Sequence, residues 1–191
     1  LAHRVRNLFG VVLSLIGFSS RKSGTTAEVL SDITQRIHAL SRAHNMATGD
    51  ISGDADLGEL LDSLGKPYQT ADEESAFVCA GAPVTVPART VTPLALLFHE
   101  LATNAAKYGA LSQPGGRVRI TWQDASGGES LRIEWRELGG PPPAAKRSAP
   151  SPKGGFGQRM TSAAVQQIGG TLHSEFPPEG AIVVLEIPRA S

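Results

Sequence analysis

The 191-residue chain has no charge of one sign in excess. Lys+Arg and Asp+Glu both number 18, so the formal net charge is zero. Without a basic footprint there is no reason to expect nucleic acid as a partner, and there is no acidic tail. A ligand must therefore be held by local groups rather than by the overall field. Cysteine is nearly absent. Cys79, the only one, can form no internal disulfide and no cysteine-based zinc site. A reduced, cytoplasmic setting fits, with Cys79 as a small buried hydrophobe. Long apolar runs are missing too, and none is long enough to cross a bilayer. The opening "HRVRNLFGVVLSLIGFSS" mimics a secretory signal, with basic residues ahead of an apolar stretch. Its apolar positions follow a heptad seam, however, so it reads as a helix making no membrane contact. There is no Gly-x-x-x-x-Gly-Lys-Ser/Thr run, which removes the P-loop route to nucleotide, and there are no internal repeats. The chain does not begin with Met and can be a piece of a longer protein.

What is present is enough for a core, 40% hydrophobic residues in a length suited to one domain or two small ones. Leu1, Val5, Leu8, Val12 and Leu15 step by four and three, the seam of a coiled coil. Val11, Leu13 and Ile16 widen that face. Residues 26–47 repeat the pattern with Leu30, Ile33, Ile37, Leu40 and Ala47. The turn chemistry of "SSRKSG" between them predicts an antiparallel helical hairpin over residues 1–50. A single hairpin has a narrow core, so a homodimer forming a four-helix bundle is expected. A monomer whose second domain covers the seam is the alternative.

"TGDISGDAD" breaks the helical pattern and marks a boundary, with a second domain over residues 51–191. "DLGELLDSLGKPY" predicts a short amphipathic helix and "APVTVPA" a strand. "TPLALLFHELATNAAKYG" predicts a helix with Thr92 as N-cap, Pro93 at the first helical position and Gly109 just past the end. "RVRITW" and "SLRIEW" alternate and predict paired strands. "GGPPPAAKRSAPSPKGGFG" is a loop. "GQRMTSAAVQQIGG" predicts a helix closed by Gly169, and "TLHSEF" and "GAIVVLEIP" a last strand pair. The fold class is thus α+β: a helical hairpin, then a part that mixes helices with antiparallel strands.

On the 93–108 helix, Leu94, Leu97, Leu101 and Ala105 share one face, while Glu100, Thr103, Asn104 and Lys107 form a neighbouring stripe. One reading of that stripe is a solvated face with an ion pair one turn apart. The other is a nucleotide site. Asn104 offers a neutral oxygen to Mg²⁺, Glu100 can hold a water of the hydrated ion, and Lys107 can meet a phosphate. Two segments support the second reading. "IEWRELGGPP" puts Glu137 at a strand end, where a carboxylate can accept from an adenine amino group, followed by Gly139 and Gly140, which let backbone come close to a base. "GGFGQRM" puts Gly154, Gly155 and Gly157 before a helix, where N–H groups face phosphate. His99, Tyr108 and His173 do not form a recognisable metal-ligand spacing.

The order of these motifs resembles the GHKL ATP-binding fold, which implies an α/β sandwich with a mixed, mostly antiparallel sheet packed on helices. The chain as a whole resembles the transmitter region of sensor histidine kinases, and among them the HWE subgroup, whose markers are matched by His99, Trp135 and Glu137. "HELATNAAKYGALS", "WRELGGP" and "GFG" carry that likeness, together with "HRVRN" and "RIHALSRAHNMA" in the hairpin. The resemblance implies that His3 is the phosphoacceptor. His3 lies away from the seam, with Asn7 and Gly10 on the same outer side, and a neutral imidazole can attack phosphorus. It further implies ATP and Mg²⁺ as cofactors, Asn104 as the metal ligand, Glu100 ordering water on the metal, and Lys107 and Tyr108 near the phosphates. Glu137 stands where the wider fold has an Asp that reads adenine. Pro141–Lys153 is the lid, and a hinge near residues 48–53 brings ATP to His3. Arg4 follows the acceptor where many such kinases carry an acidic residue, which leaves the base unassigned. The implied partner is the receiver domain of a response regulator, phosphorylated on an aspartate. Two rival readings are a degenerate nucleotide-binding scaffold and an anti-sigma-type serine kinase or ATPase of the same fold. The intact "HRVRN", Glu100 and Asn104 weigh against the first, and the hairpin with its His weighs against the second.

Overall fold

The computed structural model describes residues 54–69, 76–142 and 156–189, the backbone alone over 156–160, together with Leu30, Thr34, Ile37, His38 and Ser41. Those five positions are helical, and the Thr34 hydroxyl donates to the carbonyl of Leu30 at 2.8 Å. Leu30 and Ile37, both on the seam expected for the second hairpin helix, have exposed side chains. His3, the first hairpin helix, the hinge at 48–53 and most of the lid lie outside the described residues.

Strand β1 (Ala55–Asp56) pairs antiparallel with β3 (Thr85–Val86) and leads into helix α1 (Leu57–Gly65). The Asp56 carboxylate caps α1 by accepting from the Glu59 amide at 2.9 Å. The apolar stripe of α1, Leu57, Leu60, Leu61 and Leu64, is buried. Then come β2 (Phe77–Gly81), the long helix α2 (Ala88–Tyr108), β4 (Arg117–Ala125), β5 (Ser130–Leu138), α3 (Phe156–Gln167), β6 (Thr171–Glu175) and β7 (Ile182–Pro188). The main sheet has the order β2-β4-β5-β7-β6. The β2–β4 pair is parallel and the other three pairs are antiparallel. This is the mixed, mostly antiparallel sheet that the resemblance implies. Among the described residues no helix is long and apolar enough to cross a membrane.

Alternation gives the sheet two unlike faces. Val118, Ile120 and Trp122 on β4, Leu131, Ile133 and Trp135 on β5, and Val183, Leu185 and Ile187 on β7 are buried. They share one core with α1, with Val91, Leu94, Leu97, Phe98, Ala102 and Ala105 of α2, and with Val165 of α3. The other face carries Arg132, Glu134, Arg136 and Glu186. The guanidinium of Arg136 meets Glu134 at 2.9 Å, and that of Arg132 meets Glu186 at 3.3 Å.

Two sequence expectations need correction. Helix α2 does not start after Thr92. It begins at Ala88 behind Pro87, with no side-chain cap, and Pro93 lies inside it. The extra turn is held by packing, because Val91 is fully buried and Thr90 nearly so. Burial of that turn outweighs the one backbone hydrogen bond that Pro93 cannot donate. The second correction is β2, for which the sequence offered no strand. "FVCAG" is an edge strand held by a distant group. A Cβ at Gly81 would overlap the Trp122 indole, whose N–H donates to the Ala82 carbonyl at 2.8 Å.

Candidate nucleotide-binding site

Helix α2 and the end of β5 supply the side chains that the sequence singles out. The stripe on α2 is graded rather than uniform. Glu100 is only 5% exposed, whereas Asn104 and Lys107, one and two turns on, are exposed, and so is Tyr108. His99 beside them is buried. Residues 93–100 are all buried, whereas the last two turns have one open flank. Thr103 on the same stripe lies 3.5 Å from the Tyr68 hydroxyl, which ties the open flank to the turn after α1. An amide, a carboxylate and an ammonium on one flank are hard oxygen donors and a cation, a set that fits a hydrated divalent ion and a polyphosphate.

Glu137 continues the inward row Leu131, Ile133, Trp135 of β5, so a carboxylate sits where the pattern of the strand calls for an apolar residue. It is 7% exposed. Its Oε2 accepts from the Ala110 amide at 2.9 Å, just beyond the end of α2. Its Oε1 accepts from the Trp135 indole N–H at 3.4 Å. Both oxygens therefore have donors, as a buried carboxylate needs. Its backbone amide donates to the Ala181 carbonyl at 2.8 Å. Trp135 is 1% exposed, edge-on to Phe77 of β2 at 5.5 Å between ring centroids and stacked on Phe98 of α2 at 6.3 Å.

The glycines around Glu137 have reasons inside the protein. Gly109 ends α2 as expected, its amide donating to the Ala105 carbonyl at 3.0 Å. A Cβ there would fall on Glu137 Oε2 and 2.9 Å from its Cδ. Gly139 has a φ of 72°, the left-handed region. A Cβ on Gly140 would lie 2.6 Å from the Cα of Ala110. So the "ELGG" segment packs on the "GA" that closes α2, and the two motifs meet there. Gly157 lies in the first turn of α3. Gly154, Gly155 and the lid beyond residue 142 lie outside the described residues. The sequence reading passed over Ala110, whose contribution is a backbone N–H with no side-chain signature.

This arrangement can be compared with known proteins. Residues 1–83 match the family model for HWE histidine kinase. A blue-light-activated histidine kinase 1 of Erythrobacter litoralis is 33% identical over 190 residues, which is 98% of this chain and 51% of that protein. Over residues 1–83 the chain is thus similar to the HWE histidine kinases, and over nearly all of its length to named histidine kinases. It spans about half the length of the relatives it matches. The solved structure of the Erythrobacter litoralis EL346 blue-light activated histidine kinase superposes with a TM-score of 0.73 at 24% identity, covering 98% of this chain and 57% of that one. That of histidine kinase ThkA in complex with the response regulator protein TrrA superposes with a TM-score of 0.51 at 19% identity, covering 99% of this chain and 60% of that one. These likenesses show that the chain has the histidine kinase fold.

Proposed function

We propose that this chain is the transmitter of a sensor histidine kinase in a cytoplasmic two-component system. It binds Mg-ATP, transfers the γ-phosphate to His3, and passes it to an aspartate on the receiver domain of a response regulator. The observation that carries the reading is the meeting of two distant motifs at one place. The α2 stripe of buried Glu100 and exposed Asn104 and Lys107 leads towards Ala110, whose amide donates to Glu137 at the end of β5. In this reading the base would lie near Glu137 and the phosphates near Asn104 and Lys107.

Asn104 would hold the Mg²⁺ through its amide oxygen, with Glu100 holding a metal-bound water. Lys107, Tyr108 and the amides at Gly155 and Gly157 would meet phosphate, and Gly139 and Gly140 would border the base. When bound, the ion supplies charge neutralisation at the transferred phosphoryl group. The protein's own share is positioning, the main requirement of phosphoryl transfer. Glu137 would accept from the exocyclic amino group of adenine. The lid at Pro141–Lys153 would close over the nucleotide, and the hinge at 48–53 would carry it to His3. His99 is buried, and no chemical step is assigned to it. The exposed Leu30 and Ile37 favour a homodimer through the hairpin. The complex of ThkA with its regulator supports a receiver domain as partner.

The test is incubation with Mg-ATP labelled on the γ-phosphate, followed by assay for acid-labile, base-stable label. Label in the wild-type chain and none in His3→Ala is the expected result. Equal label in His3→Ala would move the acceptor elsewhere. Asn104→Ala should reduce Mg-ATP binding at least tenfold, on the order of one lost charge-assisted contact. Unchanged affinity by calorimetry would remove the metal from this flank.

A further inference from the structure

The HWE pattern couples a Trp to a Glu two residues later, and strand geometry makes that spacing meaningful. Residues i and i+2 lie on the same face of a strand. The indole of Trp135 and the carboxylate of Glu137 therefore share the inner face of β5, and the indole N–H reaches Oε1 at 3.4 Å. The ring itself is fixed, because it is fully buried between Phe77 and Phe98. A rigid donor is thus aimed at one oxygen while the Ala110 amide holds the other. A carboxylate can accept about four hydrogen bonds, so two acceptor positions remain after these two.

We propose that Trp135 is a positioning residue for base recognition: its indole N–H fixes the Glu137 carboxylate so that the remaining acceptor positions meet the amino group of adenine. The proposal rests on the reading of Glu137 as the group that faces the base. It gives the Trp a chemical task beyond filling the core. Without the N–H the carboxylate keeps the Ala110 bond and gains a rotation about it. Adenine then meets a carboxylate that must first be ordered, and that ordering lowers affinity. Guanine carries a carbonyl where adenine carries the amino group, so its binding does not draw on this carboxylate and does not change.

The test uses the 191-residue chain with Mg²⁺ and the non-hydrolysable analogues of ATP and GTP, with affinities from calorimetry. Trp135→Phe removes the N–H and keeps an aromatic ring. Because the smaller ring can loosen the core, a second variant places the benzothiophene isostere of tryptophan at 135, which exchanges N–H for sulphur at nearly constant shape. Glu137→Gln is the reference for the base reading. The expected result is a roughly tenfold loss of preference for the ATP analogue in all three, with the GTP analogue unaffected in the two Trp135 variants. Combining Trp135→Phe with Glu137→Gln should add little further loss, since both act through one carboxylate. If Glu137→Gln lowers the preference and the isostere does not, Trp135 is only a core residue and the proposal fails while the base reading stands. If Glu137→Gln leaves the preference intact, the base reading fails and the proposal falls with it. Equal loss for both analogues in the isostere also overturns the proposal, because that is the mark of general loosening.

Discussion

Glu134 and Glu137 stand three residues apart on β5 and face opposite ways. Glu134 lies on the outer side of the sheet, its Oε1 shared by two nitrogens of Arg136 at 3.1 and 2.9 Å. Glu137 lies on the inner side, where two neutral N–H donors meet it instead. Charge complementarity looks better on the outside, yet the outer pair contributes little. Exposed ion pairs contribute roughly 0–1 kcal/mol. A buried donor stripped of its acceptor costs about 1–3 kcal/mol. The comparison teaches that the weaker-looking bonds, made by uncharged donors out of water, carry the greater consequence. It also separates a carboxylate that decorates a sheet from one that joins two sequence motifs.

The hardest way to break the inner arrangement is Gly109→Ala. The new methyl would occupy the position of Glu137 Oε2 and press on the Cα of Ala105 at 3.0 Å. The carboxylate must swing away and release the Ala110 amide. Overpacking of this kind costs about 1–3 kcal/mol, and the lost hydrogen bond adds to it. A loss of about 2–3 kcal/mol by urea unfolding is expected. A loss below roughly 0.5 kcal/mol, the range of an ordinary surface change, would mean that Glu137 does not occupy this position.

Glu137→Gln comes next. Shape is kept, but the amide nitrogen of Gln cannot accept. One oxygen serves one donor, and either the Ala110 amide or the Trp135 indole is left facing an N–H₂ group. About 1–2 kcal/mol of stability should be lost. Amide exchange at Ala110 would tell which donor is abandoned, since a freed amide exchanges faster. Stability equal to wild type would show that water replaces the missing acceptor at no cost.

These two residues also mark how far the sequence alone could reach. The strands of β4, β5 and β7 were readable because period-two alternation is local, and it predicted Glu137 at a strand end. The end of α2 at Gly109 was readable from the same kind of local signal. The reason for Gly109 was not, because its neighbour is a carboxylate from another strand, and its φ of −118° gives it no need to be glycine. The Ala110 donor was equally silent, since a backbone N–H has no residue type. Pro93 misled for the complementary reason. A local rule placed it at a helix start, and burial of Thr90 and Val91 added a turn ahead of it. The strand at Phe77–Gly81 was missed because its partner and its anchor, β4 and Trp122, lie about forty residues on.

Cys79 tests an intermediate case, at the sheet edge and half-buried. Burial, and then the Asp62 carboxylate beside it, push its thiol up to about 12. The folded state thus holds the proton more tightly than the unfolded chain, whose thiol titrates near 9.0. The resulting contribution to stability is complete below that value and is lost as pH rises from about 9 to about 12. Urea midpoints of wild type and Cys79→Ala should therefore converge or cross as pH is raised from 7.5 towards 10.5, with wild type losing more. Alkylation by iodoacetamide at neutral pH should be slow in the native protein and fast in urea, because the thiolate is the nucleophile. Rapid native alkylation would place the thiol in water.

Glu134→Gln is the smallest change and the sharpest control on the comparison. It removes the charge that Arg136 and Arg132 meet at 2.9 and 3.7 Å, on side chains that solvent reaches. Attraction there is screened within about 8 Å at physiological salt, and the long Arg side chain regains freedom when released. The expected loss is within about 0.5 kcal/mol, shrinking further as salt is added. The measurement is a pair of urea titrations at low and high ionic strength, run beside Glu137→Gln. Only the outer variant should respond to salt, because the donors of the inner carboxylate are uncharged. If Glu134→Gln instead costs as much as Glu137→Gln and ignores salt, then the outer face is shielded from solvent in the whole chain, and a segment outside the described residues or a second copy covers it.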